Sequence, residues 1–175
     1  MGKYEDLRLG EDALPTMTGR AWRIADQVPP WVSEEQILLP PHELGRMLLA
    51  RLVPQLASRV APGDFLIAGR SFGSDVRHRA VPVALRALPL GAVVAQSFGI
   101  GFLRHALRCG LPALVVEEAP AIQPADRLRV DVEAHVIANL SSGDRYVIRN
   151  IDDADLLLLR ATSGRRRPDK RAEGW

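Results

Sequence analysis

Residues 69–78 read GRSFGSDVRH and place two serines, an acid, two arginines and a histidine around Gly73, between an apolar run and a helix-like one. A carboxylate such as Asp75 can serve as a general base. An arginine such as Arg77 can neutralise and clamp an anionic group through its planar fork. The same pair can instead be purely structural, with Asp75 capping the following helix and bonding to Arg77. Both readings stay open at the level of sequence.

A second stretch echoes the first. SFGSDVRH (71–78) and SFGIGFLRH (97–105) each set Ser-Phe-Gly directly after a strand-like run, with Arg-His as the next helix begins or makes its first turns. Two copies do not make a solenoid, and simple reuse of a strand–turn–helix geometry competes with an old duplication. Either origin puts both turns at the carboxyl edge of a parallel sheet, where unpaired helix N–H groups attract anions. On that edge Ser71, Gly73, Ser74, His78 and Arg104 are the candidate substrate contacts.

Other chemistries are excluded by spacing. Arg104 stands where a dinucleotide fingerprint starting at Gly99 needs its third glycine, and no G-x-S-x-G elbow frames Ser71, Ser74 or Ser97. Serines at such turns are read as caps. His105 and His135 have no partner at ligand spacing and are read as a helix-surface residue and a strand residue, so no metal site is expected.

These candidates need a scaffold. GRAWRIA (19–25) reads as a first strand, and DQVPPWVSEEQILLPP, with its four prolines, as an irregular loop around Trp31. Leu44, Met47, Leu48, Leu52 and Leu56 recur at helical spacing and predict one core-facing helix over 42–59. Strands at 64–69, 91–96 and 112–118 then alternate with helices at 78–88 and 98–108. Continuous apolar strands of that kind predict a parallel sheet covered by helices. Gly110 and Pro112 stop the second of these helices. DRLRVDVEAHVIANLSSGDRYVIRN alternates apolar and polar residues and predicts antiparallel strands with SSGD as a turn. DDADLLLLRA predicts a closing helix with a capping aspartate.

The 23 basic and 21 acidic side chains nearly cancel, so no nucleic-acid partner is expected. Cys109 is the single cysteine, which excludes an intrachain disulfide and any cluster held by this chain's own thiolates. The charged start MGKYEDLRLGED and the absence of a membrane-length apolar run predict a cytoplasmic protein without a membrane partner. Residues 1–18 read as a loose lead-in, and 161–175, containing SGRRRPDKR, as a basic flexible tail.

In order and spacing, GRAWRIADQV, the loop ending QILLP, GDFLIAGRSFG, GAVVAQSFGIGFLRHALRCGLP and RVDVEAHVIANLSSGDRYVI resemble the small subunit of 3-isopropylmalate dehydratase, the swivel domain of the aconitase superfamily. The resemblance covers residues 19–160. It implies an α/β fold: a compact swivelling β/β/α domain with a small parallel sheet, helices and additional antiparallel strands. It also implies a partner, a large subunit carrying a four-iron cluster, with which the chain forms a heterodimer that dehydrates and rehydrates a hydroxy-carboxylate. The loop from Gln27 to Gln36 would then contact the variable part of the substrate.

The departure from the family falls on the opening stretch. Where the family has FG-x-G-S-S-R-E-H, with the first serine as catalytic base and the arginine on a substrate carboxylate, this chain has FGSDVRHR. A one-residue gap after Ser74 sets Asp75 on the catalytic serine, Val76 on the second serine and Arg77 on the arginine. The ungapped alignment leaves serine and arginine without counterparts but keeps Pro82 and Ala84 in place, and an insertion between Arg77 and Pro82 reconciles the two. The resemblance therefore implies a hydro-lyase subunit with Asp75 and Arg77 as catalytic residues. The alternative is a diverged, non-catalytic swivel module that binds or assembles.

Overall fold

The runs FLIA and AVVA carry no polar residue, so both of their faces must be covered. In the computed structural model, which describes residues 13–24, 32–74 and 79–163, they lie at the heart of one seven-stranded sheet. The chain runs β1 (Met17–Arg23), α1 (Glu34–Ile37), α2 (Pro41–Leu52), α3 (Leu56–Arg59), β2 (Phe65–Ala68), α4 (Ala80–Arg86), β3 (Ala92–Ala95), α5 (Ile100–Arg108) and β4 (Ala113–Val115). A short 3-10 turn at Ala119–Ala121 leads to β5 (Arg127–Asp131), β6 (Val136–Asn139), β7 (Arg145–Val147) and α6 (Asp153–Ser163).

The strand order is β4-β3-β2-β1-β5-β6-β7. β1 to β4 are parallel, and β5, β6 and β7 add to β1 as an antiparallel meander. Each parallel crossover steps in the same direction, so the right-handed rule sends all of their helices to one face. Leu44, Leu48, Leu85 and Phe102 of those helices accordingly pack on Leu66, Ala68, Val93 and Ala95. The alternate residues Phe65, Ile67 and Val94 face a second core shared with Leu128, Val130, Ile137 and Tyr146 of the antiparallel half.

This second core closes because the two sheet edges meet. Arg149 N–H donates to the Val115 carbonyl at 2.9 Å. The Asn150 amide completes the join: its Oδ1 accepts from Val115 N–H at 2.7 Å and its Nδ2 donates to the Ala113 carbonyl at 2.9 Å. A side chain thus supplies the ladder that the edge of β4 lacks. α6 packs Leu156 and Leu159 on the same core. Its start is a reciprocal cap, with Asp152 Oδ1 accepting from Asp155 N–H at 2.8 Å and Asp155 Oδ2 from Asp152 N–H at 3.2 Å, as the paired aspartates predict.

Several boundaries differ from the sequence reading. The helix expected over 42–59 breaks at Val53, which is extended (φ −145, ψ 106), because Pro54 disfavours a helical residue before it. β1 starts two residues earlier, with Met17 paired to Val130, so the end of the expected lead-in belongs to the sheet. The proline-rich loop contains α1, set by a capping box between Ser33 and Gln36. His135 is a turn residue with φ 56 rather than part of a strand. The expected tail carries the last turn of α6 to Ser163, and residues 164–175 lie outside the described residues, as do residues 1–12 and Trp31. No helix among the described residues is long and apolar enough to cross a membrane.

Two buried or half-buried carboxylates tie elements together. Asp64, 2% exposed, accepts from Arg20 N–H at 2.9 Å, from Trp22 Nε1–H at 2.8 Å and from Ala61 N–H at 2.8 Å. Glu133 accepts from Leu14 N–H at 2.9 Å and from the Nε–H and Nη2–H of Arg160 on α6. The Arg160 hydrogen bonds, helped by that from Leu14, hold the Glu133 carboxyl below its usual pKa.

Asp64→Ala should lower stability by about 3–5 kcal/mol in denaturant unfolding, because it takes a charged acceptor from three part-buried donors at once. A loss under 1 kcal/mol would show that water replaces the carboxylate. Glu133 has a depressed pKa, so its contribution is complete above the unfolded carboxylate pKa of about 4.3 and disappears as pH falls through the lower folded value. Glu133→Gln should therefore lower Tm by a constant amount above about pH 5, and the gap to the wild type should close on acidification. A gap of the same size in strong acid would assign the effect to packing instead.

Candidate functional site

At the ends of β2 and β3 the parallel pairing does not stop. Gln96 N–H donates to the Gly69 carbonyl at 3.0 Å, Phe72 N–H to the Ser97 carbonyl at 3.0 Å and Gly99 N–H to the Phe72 carbonyl at 2.9 Å. Phe72 and Phe98 form a parallel bridge. The two Ser-Phe-Gly turns are therefore hydrogen-bonded directly to each other at the carboxyl edge, where the sequence echo puts them.

The three residue types have separate duties. Ser97 Oγ accepts from Ser71 N–H at 2.8 Å, and Ser71 takes a left-handed φ of 55. Ser97 thus joins the turns rather than capping α5, whose N-cap is Gly99 with no side-chain cap. The phenylalanines meet beneath the edge: Phe72 packs edge-on against Phe102 with ring centroids 5.1 Å apart, and Phe98 stacks on Phe102 at 5.7 Å. Gly73 has φ +74, and a Cβ there would lie 2.7 Å from Phe102. A Cβ on Gly99 would lie 2.5 Å from Ser74 Cα and 2.7 Å from the Gly73 carbonyl oxygen. Each glycine lets the other turn approach.

Of the expected substrate contacts, the structure brings Ser71, Gly73 and Ser74 together beside Ser97–Gly99. Asp75, Arg77 and His78 lie outside the described residues. Arg104 is exposed on α5, one turn beyond Ile100, and no contact among the described residues draws it to the turns. The first N–H groups of α5 have no intrahelical acceptor, since the ladder begins with Leu103 N–H to the Gly99 carbonyl at 3.0 Å. An anion at this edge would meet those amides and the positive end of the helix dipole.

The sequence reading missed two features here. Ser97 and Gly99 act in the joint itself, and the repeated Ser-Phe-Gly was the signal for both. Arg79, just before α4, lines a 370 Å³ groove with Ile37, Leu39, Pro41, Leu44, Ala80 and Val83. Arg79 gave no signal apart from its place in the basic run RHR.

The described residues do not form a site for a cluster or metal. The single thiol, Cys109, closes the far end of α5, donates to the Ala106 carbonyl at 3.3 Å, and has its pKa pushed up by burial. A thiolate ligand needs the opposite environment. Among the described residues no group of three or more His, Cys, Asp or Glu is placed to hold a metal ion.

No protein-family model matches the chain. It is 35% identical over 138 residues to 3-isopropylmalate dehydratase small subunit 1 of Archaeoglobus fulgidus, a match spanning 77% of this chain and 86% of that protein. It is 30% identical over 149 residues to the methanogen homoaconitase small subunit of Methanothermobacter thermautotrophicus, spanning 81% of this chain and 84% of that one. The fold matches the crystal structure of 3-isopropylmalate dehydratase from Methanocaldococcus jannaschii with a TM-score of 0.77, at 22% identity, over 85% of this chain and 90% of that one.

Ser97→Ala should cost about 1 kcal/mol by leaving Ser71 N–H without its acceptor. Gly99→Ala should cost about 1–3 kcal/mol by pushing the Gly73–Ser74 backbone away. Because both changes open one joint, the double variant should lose less than the sum. Additivity within about 0.3 kcal/mol would show that the contacts act independently.

Proposed function

Because the chain belongs to the family of 3-isopropylmalate dehydratase small subunits, we propose that it works as the swivel half of a cytoplasmic heterodimer that dehydrates and rehydrates a small hydroxy-carboxylate. Residues 19–160 carry the swivel domain in this reading. The single observation that carries it is the hydrogen-bonded pair of Ser-Phe-Gly turns, which sets backbone amides and the start of α5 on one edge. That edge suits a carboxylate.

The four-iron cluster belongs to the large subunit in this reading, and when bound there it supplies the Lewis acid for the leaving hydroxyl. This chain's residues do the rest. Arg77 binds a substrate carboxylate through its fork, and the amides around Gly73 and Ser74 complete the anion site. Asp75 takes the proton alpha to the carboxylate. An unperturbed aspartate, with a pKa of about 3.9, is a far weaker base than a serine alkoxide, so Asp75 is not a conservative replacement for the family serine. His78 and Arg104 add positive or hydrogen-bonding character to the same edge. The relatives act on different acids by name, and the loop from Gln27 to Gln36 is proposed to meet the part of the substrate that varies.

Combined anaerobically with its cognate large subunit, the chain should restore turnover of 3-isopropylmalate or a related hydroxy-acid, while alone it should be colourless and inactive. Asp75→Asn keeps size and capping but removes the ionisable group, so turnover of the pair should fall about 100- to 10,000-fold with folding unchanged. Arg77→Lys should raise KM by loss of the bidentate fork. Unchanged kinetics in both variants would assign the chain to the non-catalytic, assembling role that the departure from the family serine first raises.

A further inference from the structure

The crossover helices cover one sheet face only over the parallel half. Over β5, β6 and β7 no helix among the described residues covers the same face, because hairpin connections bring none with them. This bare face carries Arg20, Arg127, Arg129 and Arg145, all exposed. The register makes them neighbours: Arg20 stands directly opposite Arg127, and Arg129 and Arg145 flank Ala138 on adjoining strands. None of the four is ion-paired to another described residue. The one acid in these outward rows, Asp131, is half-buried and accepts from Ala134 N–H at 2.9 Å.

Like charges directly opposite each other on neighbouring strands destabilise a sheet, so the Arg20–Arg127 pair is a cost in the free chain that an opposing anion relieves. We infer that this arginine face is a docking surface for a carboxylate-bearing protein surface on the large subunit. The inference rests on the two-subunit reading above. Three observations choose that occupant. Leu140 and Val147, 44% and 46% exposed, lie among the arginines, and a mixture of arginine with large apolar side chains suits a protein interface. Among the described residues the face has no lysine and no exposed aromatic ring on which a base can stack, since Tyr146 is buried at 5%, which disfavours nucleic acid. A second copy of the chain would set arginines against arginines across a two-fold axis.

In register Arg20 is level with Asp64, just before β2, so the arginine face stands apart from the Ser-Phe-Gly turns and can be altered without touching them. Two arginines facing carboxylates would speed encounter and make association salt-dependent.

The experiment compares the full-length wild-type chain with Arg127→Glu/Arg129→Glu in binding to the cognate large subunit across a range of NaCl concentrations. The wild-type Kd should rise with salt, and the double variant should bind about 10-fold or more weakly at low salt, the gap shrinking to about 2-fold at high salt. Its Tm should equal or exceed that of the wild type, and turnover at saturating large subunit should be unchanged. Equal Kd values for the two chains, with the wild type binding, would overturn the inference and leave the family function intact. So would a salt-independent wild-type Kd, or a variant that loses only its binding to a duplex oligonucleotide. Failure of the wild type to bind the large subunit would overturn the pairing itself and the inference with it.

Discussion

The whole sheet hangs on how β1 is held. It is the one strand with a parallel neighbour on one side and an antiparallel neighbour on the other, so a shift of β1 displaces both halves together. Asp64 holds it. From the turn before β2, that buried carboxylate takes the Arg20 amide and the Trp22 indole of β1 and returns to Ala61 on its own turn. A buried charge is tolerable only when its lone pairs are filled, and here three donors fill them. The same three bonds align β1 with β2, and through β2 they set the level at which β2 and β3 end.

From that level follows the functional edge. Parallel strands of equal height deliver their exits side by side, and the chain needs the same solution twice: a turn narrow enough to sit against its twin. Ser-Phe-Gly meets this need in both places, yet the two copies are not equivalent. The serine of the second copy bonds to the first, the glycine of the first is left-handed beneath Phe102, and the glycine of the second clears Ser74. The repetition reflects repeated geometry, and the division of labour reflects their contact.

The two faces of the sheet meet different fates for a topological reason. Right-handed crossovers cover one face of the parallel half, while the other face is sealed by drawing the sheet edges together at Arg149 and Asn150. Among the described residues, what remains bare is the outer face of the meander. Its charge is carried by arginines with no described ion partner, a disposition that serves contact with another molecule better than it serves this chain alone.

The strands and helices of the parallel half were legible in the sequence because an apolar run between glycine and proline stops has few other ways to be buried, and the switch to alternation at residue 127 marked the antiparallel half. The ordered motifs also carried the family. Errors came where a single residue overrode a period: Pro54 cut one helix in two, Ser33 and Gln36 made a helical turn inside a loop, and His135 turned the chain. The site was only partly legible. That Ser71, Gly73 and Ser74 lie with the second turn followed from topology, but which serine accepts a hydrogen bond, which glycine faces a ring and which amides stay open depend on contacts between residues some 26 positions apart. The same holds for the arginine face. Sequence alone shows alternate arginines on separate strands, whereas only the register sets Arg20 against Arg127 and Arg129 near Arg145, because cross-strand distance is decided by pairing and not by position in the chain.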